Sequence, residues 1–290
     1  MTQRLAAIIS ERARILQAAG IDQAVAEVEL VLCYLLKTDR AHLYFDGQTL
    51  TNGKVLRQLD EIVARRTTRY PLQYILGEVW FYGRRFSVNP SVMIPTPETE
   101  LLCEVAVGFV KEKRQTLPAQ PRILDLGTGS GVIAVTLACE VKQSVIVAVD
   151  VSRAALEVAG KNVADHGVSD RIEFRRSDFF SAIGEDELFH LILSNPPYVS
   201  TGEYKNLPLE VLADPKEALL AGDDGLDAIR VLLREAPDYL AKGGRIMFEI
   251  GYRQAESITK LTESDDRYRT ISIIKDLNDI DRVVILSCDE

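Results

Sequence analysis

The chain of 290 residues is long enough for about two domains, and at 47% hydrophobic and 27% charged it is too apolar for disorder and too charged for a membrane bundle. A net charge of -9 with a pI near 5.1 works against a partner held through its phosphates, since phosphate contacts supply most duplex affinity. Cys33, Cys103, Cys139 and Cys288 stand apart, and the first residues form neither a signal peptide nor a membrane span, so free thiols, no metal and a cytoplasmic location are expected.

In chain order, residues 1–70 read as helix after helix. Leu5, Ile8, Ile9, Ile15, Leu16 and Ala19 share one face, with Gly20 as the stop. Asp22 is expected to cap a second helix with the stripe Val25, Val28, Leu32, Leu35 and Leu36. Thr51 or Asn52 is expected to open a third, carrying Leu56, Leu59, Ile62 and Val63. Each helix has only one apolar face, so a small bundle is expected. Arg65, Arg66, Arg69, Arg84 and Arg85 could form a local basic patch, although charge runs usually face water.

After Tyr70-Pro71 the pattern changes, and residues 73–93 read as a strand pair around Gly77 and Gly83. Helix returns after Pro95-Thr96-Pro97, with Glu98 and Glu100 in a first turn that favours negative charge. From Pro121 strands alternate with helices, the signature of a parallel sheet with crossovers. Strands are expected at 122–126, 145–149, 172–175, 188–193 and 245–250, with helices at 131–140, 153–167 and 225–241. The closing pair, 268–275 and 282–287, is joined too tightly for a crossover and predicts an antiparallel hairpin.

The first strand of this sheet runs into Asp125-Leu126-Gly127-Thr128-Gly129-Ser130-Gly131, whose glycines let the backbone turn sharply beside a ligand. A plain strand-to-helix turn would need no more than this. The dinucleotide fingerprint, however, wants a third glycine where the chain has Val132, so the pyrophosphate pattern is absent. Asp150 closes the next strand, where a carboxylate can accept ribose hydroxyls. A nucleoside without pyrophosphate satisfies both facts, and S-adenosylmethionine, which leaves as S-adenosylhomocysteine, is the common cofactor of that kind. Asp125 would sit near its amino-acid end, and Asp178 and Phe179 near its adenine.

Asn195-Pro196-Pro197-Tyr198 follows an apolar strand that proline must end. The Asn195 side-chain oxygen and the Pro196 carbonyl are both acceptors, and neither proline brings a competing N–H. A planar NH2 group could donate one proton to each, with Tyr198 stacked on the flat group behind it. That fixes the nitrogen toward a methyl donor, and such positioning is the main lever for a transfer of this kind. Asn195, Pro196 and Tyr198 are therefore the catalytic candidates, with Pro197 added for substrate contact. His42, His166 and His190 lie in no catalytic motif, and no dedicated base is expected.

On these residues the chain resembles the HemK-type (PrmC-like) protein methyltransferases, which modify a glutamine side-chain nitrogen in class I peptide chain release factors. The likeness includes Pro71 to Gly77 with Trp80 to Gly83, Ile94 to Glu100, Asp125 to Gly131, Asp150 and Asn195 to Tyr198. It continues through Pro215 to Leu219, Asp224-Gly225-Leu226, Glu249-Ile250-Gly251, Lys275-Asp276-Leu277 and Asp281-Arg282. The resemblance implies an α/β fold, a class I S-adenosylmethionine-dependent methyltransferase with a Rossmann-like, mostly parallel seven-stranded sheet and an antiparallel last strand. It implies a helical, substrate-recruiting domain over 1–70, a β-hairpin linker over 71–96 and a methyltransferase domain over 97–290. It carries cofactor contacts onto Gly127, Thr128, Gly129, Ser130, Gly131, Asp150, Phe179 and Asn195, and glutamine contacts onto Asn195 to Tyr198. Two positions depart from the family: Thr96 stands where Arg is usual, and Phe179 where Trp is frequent. The expected substrate is thus the Gly-Gly-Gln loop of a release factor, methylated by a monomer with no membrane or nucleic-acid partner. The alternative is adenine-N6 methylation of DNA or RNA, which shares Asn-Pro-Pro-Tyr but needs a basic channel for a flipped base. A non-catalytic nucleoside-binding module is a third reading, disfavoured by the intact Asn195 and Tyr198.

Overall fold

The computed structural model describes residues 3–46, 49–50 and 53–288, and the chain divides into two compact units. The first comprises residues 1–78 with 208–213, and the second residues 79–207 with 214–290. In the first, strands β1 (Gln3–Arg4) and β2 (Thr49–Leu50) pair antiparallel beside helices α1 (Leu5–Ala18), α2 (Ala24–Leu36), α3 (Arg40–Asp46), α4 (Gly53–Arg66) and α5 (Leu72–Leu76). Ile8, Leu16, Val28, Leu32 and Leu59 meet in its core, as one-faced helices require. Gly20 (φ 78°) stops α1, with its own N–H on the Gln17 carbonyl and that of Ile21 on Leu16.

Asp22 is not the cap of α2. Gln23 occupies that position and makes no side-chain capping bond, so the helix start rests on packing. The alternative caps Thr51 and Asn52 lie outside the described residues. Residues 72–76 are a helical turn rather than the beginning of a strand, because Pro71 suits a helix start and Gly77 (φ 76°) ends the turn in a left-handed conformation. Arg66 is buried and paired with Glu27 and Glu210, and Arg69 with Glu210, so these arginines are neutralised instead of forming an open basic face.

The second unit opens within β3 (Glu78–Phe81), which forms with β4 (Arg84–Ser87) a hairpin whose Tyr82-Gly83 turn has both φ angles positive (50° and 70°). Helix α6 (Pro97–Glu112) then leads into β5 (Arg122–Leu126), α7 (Val132–Glu140), β6 (Val145–Asp150), α8 (Arg153–Asp165), β7 (Ile172–Arg176) and β8 (Phe189–Ser194). The short α9 (Thr201–Tyr204), α10 (Asp227–Glu235), β9 (Leu240–Glu249), α11 (Ala255–Glu263), β10 (Thr270–Lys275) and β11 (Asp281–Ser287) complete it. The seven-stranded sheet has the order β10-β11-β9-β8-β5-β6-β7. Strands β5 to β9 pair parallel, and β11 runs antiparallel between β9 and β10, so the expected closing hairpin is present.

Strict alternation divides the sheet between two cores. Ile123, Ile146, Ala148, Leu191, Leu193 and Met247 face one layer, which includes Leu102 of α6 and Leu137 of α7. Leu124, Val147, Val149, Ile192, Ile246 and Phe248 face the other, which includes Ile229 of α10 and Ile258 of α11. Strands β5, β6, β7 and β8 are parallel and end on the same side, so the loops after them converge, where open α/β sheets place their ligands.

Candidate active site

Those loops enclose a cavity of about 610 Å3. Gly127, Thr128, Gly129 and Ser130 line it after β5, Asp150 after β6, Asp178 and Phe179 after β7, and Asn195, Pro196 and Pro197 after β8. This volume is ordinary for a small-molecule site, which typically measures ~300–1,000 Å3.

The glycine loop is built for close approach. Gly127 and Gly129 have φ angles of 71° and 55°, and a Cβ added to either would meet nothing within 4 Å. Gly131 serves a different end: at the N-cap of α7, with φ 82°, its added Cβ would lie 3.1 Å from Ala159 Cβ. It permits helix packing and is not on the cavity wall.

Asp125 is likewise off the wall. It is fully buried and has the parity of Ile123, so it points beneath the loop toward α7. Its Oδ2 accepts from Thr128 Oγ1 at 2.6 Å and from the Ala134 N–H at 3.2 Å, supplying the cap that Gly131 cannot. Burial pushes its carboxyl up to about 7. Through Oδ2 Asp125 holds the loop, while its buried Oδ1 has no hydrogen-bond partner among the described residues.

Asp150 does face the cavity. Its Oδ2 accepts the Gly129 N–H at 2.9 Å and its Oδ1 the Ser152 N–H at 2.8 Å, leaving a lone-pair direction on each oxygen. Burial raises its pKa from the ordinary aspartate value. Phe179 is left-handed at φ 46°, a conformation a bulky residue adopts only under constraint. Ser177 supplies it: Oγ donates to the Phe179 carbonyl at 2.7 Å and accepts the Ala182 N–H at 2.9 Å.

At the end of β8, Ser194 Oγ donates to the Leu126 carbonyl at 2.8 Å and ties the strand to its neighbour. Asn195 Nδ2 donates to Thr99 Oγ1 at 2.9 Å, and Thr99 Oγ1 donates to Glu249 Oε2 at 2.7 Å. Tyr198 is not among the residues that line the cavity, and its hydroxyl donates to Glu249 Oε1 at 3.4 Å. Burial and the nearby Glu249 charge raise the Tyr198 pKa. Glu249, only 1% exposed, is pushed up to about 7, chiefly by burial.

The segment after Tyr198 is fastened from two sides. Val199 exchanges backbone bonds with Leu219 and Ala221, each 2.8 Å. Gln254 Nε2 donates to the carbonyls of Tyr198 and Gly225, both at 3.0 Å, while its Oε1 accepts the Gly251 N–H. A Cβ on Gly225 would fall 2.4 Å from the Tyr198 carbonyl oxygen, and one on Gly251 would fall 2.9 Å from Tyr198 Cδ2. Asn162, fully buried on α8, joins the Ser130 carbonyl to both backbone groups of Ser87. Asn162 and Gln254 carry no motif signal of their own, and Thr99, although it lies within the Ile94 to Glu100 block of the family likeness, was given no role by sequence reasoning. Thr96 sits at the N-cap of α6 with Oγ1 3.5 Å from that of Thr99.

Neither His166 nor His190 lines the cavity. His166 stacks on Phe86 with ring centroids 4.7 Å apart, and His190 Nδ1 accepts the Arg122 N–H at 3.1 Å.

Comparison with known proteins agrees with this geometry. Residues 110–224 match the family model described as Methyltransferase small domain, and residues 7–77 match the PrmC N-terminal domain. The release factor glutamine methyltransferase of Cereibacter sphaeroides is 40% identical over 272 residues, covering 93% of both chains. That of Nitratidesulfovibrio vulgaris is 38% identical over 276 residues, covering 93% of this chain and 90% of its own. Among solved structures, the hMettl16 catalytic domain in complex with MAT2A 3'UTR hairpin 6 shares the fold, with a TM-score of 0.57 at 14% identity over 84% of this chain and 86% of that one.

Proposed function

The chain belongs to the release factor glutamine methyltransferase family, and from that premise we propose that it methylates the side-chain amide nitrogen, N5, of the glutamine in the Gly-Gly-Gln loop of class I peptide chain release factors. The single observation that carries this reading is the meeting of Asn195, Pro196 and Pro197 with the glycine loop, Asp150 and Phe179 around one cavity. The residues fit S-adenosylmethionine. Gly127 and Gly129 leave open space for it, Asp150 keeps lone pairs for ribose hydroxyls, and Phe179 offers a flat apolar wall to adenine. Bound there, the cofactor supplies an electrophilic methyl carbon on a sulfonium.

The rest falls to this chain's own groups. Asn195 Oδ1 and the Pro196 carbonyl each accept one proton of the substrate NH2, so its nitrogen is fixed in direction. Amide nitrogen is a weak nucleophile because its lone pair is delocalised; acceptors that favour its pyramidal form act most strongly in the transition state. Tyr198 flanks the acceptor corner, and the surplus proton leaves for solvent after transfer, without a dedicated base. In this reading the helical bundle recruits the release factor, and the enzyme works as a cytoplasmic monomer. Among the described residues no helix is long and apolar enough to cross a membrane.

The test is to incubate the enzyme with methyl-labelled cofactor and offer a release factor, the same factor with the loop glutamine replaced, duplex DNA and RNA in parallel. Label should enter only the intact release factor. Label in nucleic acid would move the substrate to adenine N6 and overturn the assignment.

A further inference from the structure

We propose that Thr99 and Glu249 form a relay that fixes which end of the Asn195 side-chain amide meets the substrate nitrogen, making both of them positioning residues for the transfer. The inference rests on the glutamine-methylation reading above and adds a requirement to it. A side-chain amide has two ends of nearly the same shape, an oxygen that only accepts and an NH2 that only donates. Rotation by half a turn exchanges them at little steric cost. An acceptor corner for a substrate NH2 works only with the oxygen outward; the other rotamer sets two donors face to face. Something must therefore select the rotamer before substrate arrives.

The side chains around Asn195 make that selection. Thr99 has one hydroxyl proton, and Glu249 Oε2 takes it at 2.7 Å. Only lone pairs of Thr99 Oγ1 then face Asn195, so the end held at 2.9 Å must be the NH2. Oδ1 is thereby the free end of a side chain that lines the cavity. Thr99 is 2% exposed and Glu249 1% exposed, so water cannot readily stand in for either.

The relay has a condition. From α6 Glu249 is faced by Glu98, Cys103 and Thr99, from β11 by Arg282, and from the end of β8 by the Tyr198 hydroxyl. Burial and Glu98 push its carboxyl up, while Thr99, Arg282 and Tyr198 pull it down, and it rests at about 7. As a carboxylate it draws the Thr99 proton toward itself. Once protonated, its own O–H competes for a Thr99 lone pair, the Thr99 proton turns toward Asn195, and the amide is released to flip. Turnover should therefore fall as pH drops through about 7.

The test uses the full-length enzyme with a whole release factor, and wild type is measured first. Failure of wild type to methylate the factor would sink the functional reading; every later result bears on the relay alone. Thr99→Val keeps the shape and removes the hydroxyl. It should lower kcat by about tenfold to a hundredfold and flatten the acid limb, with cofactor Kd changed by less than about threefold. Thr99→Ser should restore kcat to within about threefold of wild type, together with the limb. Wild-type kcat in the valine variant, an unchanged limb there, or a serine variant no better than valine would each overturn the relay. Should Thr99→Val fail to fold, Glu249→Gln carries the same decision: its limb near 7 must vanish, and a persisting limb refutes the assignment.

Discussion

Substituting Gly225 with alanine probes whether the acceptor corner is held by backbone contact from outside the Asn-Pro-Pro-Tyr segment. Gly225 has φ 75°, and its added Cβ would lie 2.4 Å from the Tyr198 carbonyl oxygen, 2.9 Å from Gln254 Nε2 and 3.2 Å from the Ser200 nitrogen. The left-handed backbone alone costs about 1–2 kcal/mol with a Cβ present. Relieving the overlap adds about 1–3 kcal/mol, since backbone on both sides must move. Gly83 is the internal control: φ is 70° and its added Cβ meets nothing within 4 Å, so Gly83→Ala should incur only the first cost. Urea unfolding should show Gly225→Ala losing the larger stability. Single-turnover methylation should fall about a hundredfold, because the Tyr198 carbonyl and its neighbours must shift by an appreciable fraction of an ångström. Gly83→Ala should turn over normally. If both variants lose the same stability and both keep wild-type turnover, the packing of Gly225 on Tyr198 does not position the site.

Asn195→Ala should leave cofactor binding within about tenfold by calorimetry while lowering turnover at least about a hundredfold; near-normal turnover would remove its acceptor role. Asp150→Ala should weaken cofactor binding by about tenfold or more, because it removes the carboxylate and frees the Gly129 and Ser152 N–H groups; unchanged affinity would end the ribose assignment. Glu187, bound by Arg175 and Arg122, has its carboxyl lowered from 4.5 to about 2, with the Arg175 hydrogen bond the main cause. A depressed carboxylate stabilises the fold above its unfolded pKa and loses that contribution as pH falls from 4.5 toward about 2. The stability gap between wild type and Glu187→Gln should therefore be wide at neutral pH and narrow in acid, and a gap independent of pH in urea titrations would refute the ion-pair account.

What an added Cβ would meet separates two uses of glycine in this site. Gly127 and Gly129 turn empty space toward the cavity, whereas Gly131, Gly225 and Gly251 let one piece of protein come close to another. Gly222 belongs with the second set, since its added Cβ would overlap the Asp227 carboxylate. Glycines in Asp-Gly-Leu and Glu-Ile-Gly thus support the Asn-Pro-Pro-Tyr segment from behind, by admitting Tyr198 and Gln254.

Sequence alone determined what depends on neighbouring residues. Apolar runs such as Val145 to Val149 wrote the buried strands, their alternation with helices made the sheet parallel, and the prolines at 196 and 197 ended β8 with Asn195 just past its tip. The missing third glycine at Val132 turned the loop away from a dinucleotide, again a local fact. Tertiary structure decided the rest, because the sheet order sets β8 between β5 and β9 and brings together residues that no local period connects. Thr99 lies 96 residues from Asn195 and 150 from Glu249, yet the three share consecutive hydrogen bonds. A threonine in a first helical turn, a glutamate at a strand end and a glutamine after a loop have no periodicity to mark them. Asp125 shows the converse: its motif was plain, but whether it faced a ligand or the underside of its loop depended on strand parity and on where α7 packed. Burial, which makes Asp125 and Glu249 unusual carboxylates, is a property of the assembled layers and is written in no single segment.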